Sequence, residues 1–430
     1  MRIALRVGLS QLCFILGALL IASLLSGCGA SASSVGQPVS KATQTTLVER
    51  GRYLARAADC AACHTAKDGA PFAGGFELDS PYGKLYGSNI TPDKQYGIGN
   101  WSADDFYQAM HEGVAPGWRH LYPAMPYASY RLMPRADVDA IYAYLMQLKP
   151  YAVPNKEPAL RFPYNMRLSL ILWNALFLED EMPAASSGSS ADWQRGGYLV
   201  NSLGHCAECH TPRGTLGQLK FGQQYLGGAL GRIAAPDISA KGLAERGWNP
   251  ADLRAFLASG IAPQGSAFSE MHPVVHLSTQ YLSQDDLSAM STYLLGDRPP
   301  APAPLKLAAA AQTDNNPELK AGQRLYLNLC AGCHGQWGDG KPHVAVAMKG
   351  NSTVRQRDPH NLIVAVLDGI EEEKFPGLDN MQAMPGFAAK LSDQELAQLS
   401  NFLRAAWGGQ PADVSADTVK ALRVTAGQQR

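Results

Sequence analysis

The chain has 430 residues, 46% of them apolar and 17% charged, a length that suggests two to four domains. Lysine and arginine (37) balance aspartate and glutamate (37), which argues against a nucleic-acid partner and against a disordered acidic tail. Gly (42) and Pro (28) are above average, so loops should be plentiful.

The chain opens on an apolar run. Arg2 and Arg6 precede "VGLSQLCFILGALLIASLL", the layout of an export signal. The run ends in Leu25-Ser26-Gly27-Cys28, which resembles the bacterial lipoprotein signal. On that resemblance residues 1–27 are a signal peptide and Cys28 is the lipidated first residue of the mature chain. A plain secretory signal or an uncleaved anchor helix is the alternative, because the run could just span a bilayer. A low-complexity tether, 28–45, follows.

Three segments then repeat one plan. Each leads with a helical stretch into a CxxCH: "ERGRYLARAADCAACH", "QRGGYLVNSLGHCAECH" and "KAGQRLYLNLCAGCH". Gly51, Gly196 and Gly322 sit early in these stretches, where glycine weakens a helix; a close helix-to-helix contact would explain them. Each segment closes on an amphipathic helix: "DVDAIYAYL" from Asp137, "DLSAMSTYL" from Asp286 and "ELAQLSNFL" from Glu395. The acidic residue near each start suits the helix dipole. In between, "WSADDFYQAMHEGVAP" parallels "WNPADLRAFLASGIAP", with Ser102 and Asn249 as caps and Pro250 at the first helical position. The third segment offers "DPHNLIVAVLDGI", with Asp358 as cap. No convincing strand ladder is visible, so the expected class is all-α.

Two linkers separate the segments. "PAASSGSSAD" at 183–192 is small and polar, and a proline-rich run beginning at 296 should be extended and semi-rigid. Between the first two segments, "LSLILWNALFL" has eleven residues, too few to span a membrane, and reads as a buried helix.

Of the eight cysteines, Cys60, Cys63, Cys206, Cys209, Cys330 and Cys333 fall in the three motifs; Cys13 lies in the N-terminal run and Cys28 follows it. CxxCH is the attachment signature for c-type haem. Two thiols add to the two porphyrin vinyl groups, and the adjacent histidine meets the iron as proximal ligand. These histidines are His64, His210 and His334. A thioredoxin-like dithiol would need a βαβ setting, and a structural zinc would need four ligands; neither fits one knuckle per helical segment. The reading is therefore three covalently bound haem c groups.

The opposite face of each iron takes methionine in many cytochromes c. Candidates are Met125 in "YPAMPY", Met271 in "SEMHPV" and Met384 in "QAMPGF". Met125 and Met271 each lie 61 residues after their histidine, and Met384 lies 50 after His334. The competing reading is that these are core methionines, and His272 and His276 compete with Met271. Met110 and Met290 fall on helix stripes and are better explained by packing. Trp101, Trp248, Tyr53 and Tyr198 are open to two readings: packing on haem or its propionates, or core.

Three CxxCH segments, "GSNITPDKQYGIGNW" at 87–101, "YPAMPY", "FPYNMRLSLILWNALF" at 162–177 and "STQYLSQDDLSAMSTYL" at 278–294 resemble the triheme cytochrome c subunit of bacterial membrane-bound dehydrogenases. The resemblance spans about residues 46–410. It implies three tandem class I cytochrome c-like domains, at 46–151, 190–297 and 315–410. An interdomain helix and linker (152–189), a linker (298–314) and a tail (411–430) join or follow them. It also implies a job. A partner dehydrogenase catalytic subunit, with flavin, PQQ or molybdenum, oxidises a sugar, sugar acid, alcohol or aldehyde in the periplasm. Its electrons pass through this chain to ubiquinone or a downstream oxidase, with the chain held at the cell membrane by its lipid anchor. No catalytic residue is implied in the chain itself. A stand-alone multihaem carrier, or a peroxidase-like haem enzyme with one open iron, is the alternative.

Overall fold

In the computed structural model, which describes residues 41–307, 315–378 and 380–423, three leading helices run into the three CxxCH turns. Lys41–Ala57 precedes Cys60–His64, Ala191–Gly197 precedes Ala207–His210, and Pro317–Leu329 precedes Ala331–His334. From Gln44 onward the chain is one compact unit. The signal run, Cys28 and most of the 28–45 tether lie outside the described residues. Among the described residues no helix is long and apolar enough to cross a membrane.

Each leading helix crosses its closing helix, and the crossing is set by glycine. A Cβ on Gly51, Gly196 or Gly322 would collide with the backbone carbonyl of Ala140, Ala289 or Gln398 respectively. Any larger residue would force the two backbones apart. The closing helices are Arg135–Leu145, Gln284–Leu295 and Asp393–Leu403. Their apolar stripes are buried as the spacing predicts: Val138, Ile141 and Leu145; Leu287, Met290 and Leu294; Leu396, Leu399 and Leu403. The second leading helix holds one more residue between its glycine and its first cysteine than the first does. A π-helical stretch, Tyr198–Leu203, takes up that residue.

The middle helices begin where the caps predict. Ser102 makes a reciprocal capping box with Asp105, and Asn249 accepts from the Asp252 backbone with Pro250 in the first turn. The third, His360–Asp368, starts just beyond Asp358, whose carboxylate accepts from the His360 N–H.

Three expectations change. Short antiparallel hairpins accompany the helices, so the chain is mainly helical rather than all-α. The pairs Glu77–Ser80 with Gly83–Tyr86, and Gly228–Leu230 with Ile233–Ala235, follow the first two motifs. They are too short and too glycine-rich to show an alternating pattern in sequence. The second change is the helix Ser169–Phe177, expected to be buried: only Leu170 is, while Leu168 (77%), Leu172 (63%) and Leu176 (58%) face outward. Its polar residues fix it instead. Asn174 accepts from the Tyr127 hydroxyl at 2.7 Å, and the Trp173 indole donates to the Leu216 carbonyl at 2.9 Å, tying the helix to both flanking lobes. Third, the chain beyond 410 does not stand apart from the last domain. Val414, Val419 and Leu422 enter the third lobe's core, and Asn401 exchanges two 2.9 Å bonds with the Val414 backbone.

The first two lobes share one continuous hydrophobic core, which holds Leu54, Ile141, Leu199 and Leu287 alike. The third lobe has its own core, around Tyr326, Ile363, Leu396 and Leu403. It docks on the second through Arg232 to Asp368, Asn361 to the Ala234 backbone, and Arg246 to Ser352. The proline-rich linker has neither helix nor strand up to 307; its Ala303 bonds to Ala244 of the second lobe and to Arg355 of the third.

Replacing Gly196 by Ala should destabilise the protein by about 1–3 kcal/mol, the usual cost of overpacking. Chemical denaturation would show the shift in midpoint, and no shift would mean the helices are not in contact there.

Candidate haem sites

The three CxxCH turns share a geometry that the motif alone does not state. His64 Nδ1 lies 2.6 Å from the Ser88 carbonyl, His210 Nδ1 2.7 Å from the Pro236 carbonyl, and His334 Nδ1 2.8 Å from the Val346 carbonyl. A carbonyl only accepts, so each Nδ1 carries the proton and each Nε2 keeps its lone pair. That is the tautomer an imidazole needs to bind a metal through Nε2, with its ring orientation locked by the outer bond. Burial lowers all three imidazole pKa values, that of His210 to about 4, against the carbonyl bonds, which raise them. The rings are therefore neutral at pH 7 and available as ligands.

The loop after each turn brings that carbonyl into place. In the first two lobes the residue after CxxCH is a threonine. Thr65 Oγ1 accepts from the Phe72 N–H at 3.1 Å, and Thr211 Oγ1 from the Tyr225 N–H at 3.0 Å. Phe72 and Tyr225 both adopt left-handed backbone, φ 60 and φ 63, a strained state for an aromatic residue. The threonine bond helps hold it. In the third lobe Gly335 stands at that position; all three loops close through a glycine N–H onto the motif histidine's carbonyl, Gly74 on His64 and Gly340 on His334 at 2.8 Å and Gly227 on His210 at 2.9 Å.

The cysteines divide the same way three times. Cys60, Cys206 and Cys330 are half-buried, and Cys63, Cys209 and Cys333 are exposed; none of the six is in a disulfide. Burial pushes the Cys60, Cys206 and Cys330 thiols up to about 12. A redox-active CxxC has a thiol lowered below its ordinary value, so the environment opposes disulfide exchange. Among the described residues no group of three or more His, Cys, Asp or Glu is placed to hold a metal ion. One histidine and two thiols at the mouth of an apolar site fit a porphyrin instead.

A small apolar cleft lies at the second site. Cys206 and Met271 both line it, with Leu199, Leu257 and Leu282. Met271 begins the helix Met271–Leu277. Met125 packs, half-buried, on the same core as Cys60. Met384 pairs with Ile370 in a two-residue strand and packs on the core that Cys330 touches. Met110 and Met290 are buried on their helices, as expected of packing residues, although Met290 also borders the cleft. His272 turns away to the Lys374 carbonyl at 3.0 Å and stacks on His276.

Two features were not legible beforehand. Asp59, just before Cys60, adopts left-handed backbone (φ 50), and its Oδ1 is buried without a hydrogen-bond partner. Burial raises its carboxyl to about 8. Tyr53 and Tyr198, weighed as haem-packing or core residues, pack against the shared core and direct their hydroxyls to Asp286 and Asp137, each at 2.6 Å.

A histidine held in one tautomer beside two thiols, on a helical turn over an apolar site, defines a c-type cytochrome. Residues 48–149 and 319–407 match the family model described as Cytochrome c. The chain is 38% identical over 418 residues to the cytochrome c subunit of alcohol dehydrogenase (quinone) from Gluconobacter oxydans (strain 621H), spanning 94% of this chain and 87% of that protein. It is 38% identical over 399 residues to the gluconate 2-dehydrogenase cytochrome c subunit of Pantoea cypripedii, covering 88% and 89% of the two chains. It is 35% identical over 430 residues to the fructose dehydrogenase cytochrome subunit of Gluconobacter japonicus, covering 93% and 87%. The chain belongs to this family of dehydrogenase cytochrome c subunits.

Thr211 is fully buried, so Thr211→Val strands the Tyr225 N–H without an acceptor. A loss of about 1–3 kcal/mol is expected, read by denaturant unfolding of the haem-loaded protein. Unchanged stability would show that the loop does not depend on this bond.

Proposed function

We propose that the chain is an exported triheme electron-transfer subunit. It takes electrons from a partner dehydrogenase and passes them to ubiquinone or the respiratory chain. The observation that carries this reading is the threefold repeat of one histidine geometry: in each lobe Nδ1 donates to a loop carbonyl and Nε2 is left free.

In this reading the lobes are three class I cytochrome c-like domains. Cys60 and Cys63, Cys206 and Cys209, and Cys330 and Cys333 form the thioethers. His64, His210 and His334 are the proximal ligands, and Met125, Met271 and Met384 the distal ones. Haem so bound supplies reversible one-electron chemistry at iron. The chain's contribution is ligand identity, burial and neighbouring charge, which set the potential. With both axial positions filled by protein at every site, no iron is open to a substrate, so the oxidation itself belongs to the partner subunit.

Export and anchoring rest on the sequence. Residues 1–27 serve as a lipoprotein-type signal, Cys28 carries the lipid, and the tether places the protein on the periplasmic face of a cell membrane. Its substrate is that of its dehydrogenase: a sugar, sugar acid, alcohol or aldehyde.

Gentle detergent extraction of the tagged chain tests the reading. An exported dehydrogenase should copurify with it and reduce its haems when given substrate. A fully haem-loaded chain that is recovered alone and stays oxidised would refute the assignment. For the distal ligands, Met125→Leu should leave the haem attached and lower one potential by on the order of 0.1 V, a fraction of the roughly 0.8 V that axial ligands span. An unchanged redox titration would remove Met125 from the ligand set.

A further inference from the structure

The seam between the first two lobes carries a reciprocal arrangement. Asp137 and Asp286 each occupy the third position of a closing helix, and both are buried. Each is gripped by an arginine of its own lobe: Asp137 by Arg50, and Asp286 by Arg195 through two 2.8 Å bonds. Each then accepts a second bond from across the seam. Tyr53 of the first lobe donates to Asp286 of the second, and Tyr198 of the second donates to Asp137 of the first, both at 2.6 Å. Arginine immediately before the crossing glycine and tyrosine two residues after it make the same device in both lobes. The third lobe has Ala321 and Arg324 at those positions, and its Glu395 bonds to Ser392 within its own helix.

The first two sites also meet directly. The cleft that holds Cys206 and Met271 is also lined by Ala57 and Asp59 of the first lobe. The Met271–Leu277 helix packs on the Cys60–His64 turn. The shared core is continuous behind them.

We propose that Tyr53 and Tyr198 are positioning residues that lock the first and second haem sites into one electron-sharing pair, to which the third site is added as a separate unit. Electron tunnelling falls off exponentially with distance, so a seam free to slide would make transfer between these sites erratic. Two charge-assisted bonds running in opposite senses resist both sliding and rotation. At Asp286, burial works to raise the carboxyl, while Arg195 and Tyr53 overcome it and hold it below the ordinary value, so the acceptor is ionised at pH 7. This inference rests on the three-haem reading above.

Soret circular dichroism of the full-length, haem-loaded protein tests it, because two haems held close and rigid give a bisignate couplet. The couplet should be present in the wild type and survive Cys330→Ala/Cys333→Ala. It should vanish in Cys206→Ala/Cys209→Ala, and fall by about half or more in Tyr53→Phe/Tyr198→Phe with three haems still attached. A three-haem wild type without a couplet overturns the pairing and leaves the haem reading intact, whereas fewer than three haems by pyridine haemochrome overturns the reading itself. A couplet unchanged in the double tyrosine variant overturns the locking role. If that variant retains fewer haems, the single variants decide on the same criterion, each with a smaller loss.

Discussion

The structure depends on how closely each leading helix lies on its closing helix. At Gly51, Gly196 and Gly322 the backbone rests against a carbonyl of the partner helix, with no side chain between. That contact fixes where the leading helix ends, and so where the CxxCH turn is delivered. It is rigid because a packed interior is not deformable. In the second lobe the added residue is absorbed as a π-helical stretch rather than by moving the crossing.

From the turn, the constraint passes to the histidine. A histidine that is to bind a metal needs the right nitrogen free as well as the right position. Each lobe meets that need with a backbone carbonyl from a following loop: Ser88, Pro236 or Val346. All three loops close through a glycine N–H onto the histidine carbonyl, and the first two add a threonine that restrains a left-handed aromatic residue. The third lobe has its own core and docks on the second through arginine and asparagine bonds and through Phe375, which packs with Ala267 and Val275.

The outward-facing helix Ser169–Phe177 shows how polar residues can overrule apolar content. Its leucines would favour burial, yet Asn174 and Trp173 find their partners on the first and second lobes, in Tyr127 and the Leu216 carbonyl. Burying the leucines instead would strand those groups, at a cost comparable to the apolar gain.

The sequence by itself determined the repeat, the three haem-attachment motifs, the helix caps at Ser102 and Asn249, and the closing-helix stripes. These depend on covalent chemistry or on spacing within one turn or two of helix, so neighbouring residues suffice to reveal them. It also marked Gly51, Gly196 and Gly322 as contact points, because glycine in a helix needs a reason. Tertiary structure alone decided the histidine tautomers, the pairing of Tyr53 with Asp286 and Tyr198 with Asp137, and the exposure of Leu168, Leu172 and Leu176. In each of these the partner lies far along the chain: 233 residues for Tyr53 and Asp286. An acidic residue near a helix start reads as a dipole partner until the fold brings another lobe's hydroxyl to it. Hydrogen-bond partners at such separations leave no periodic trace in the sequence, since only the packing of whole helices brings them together.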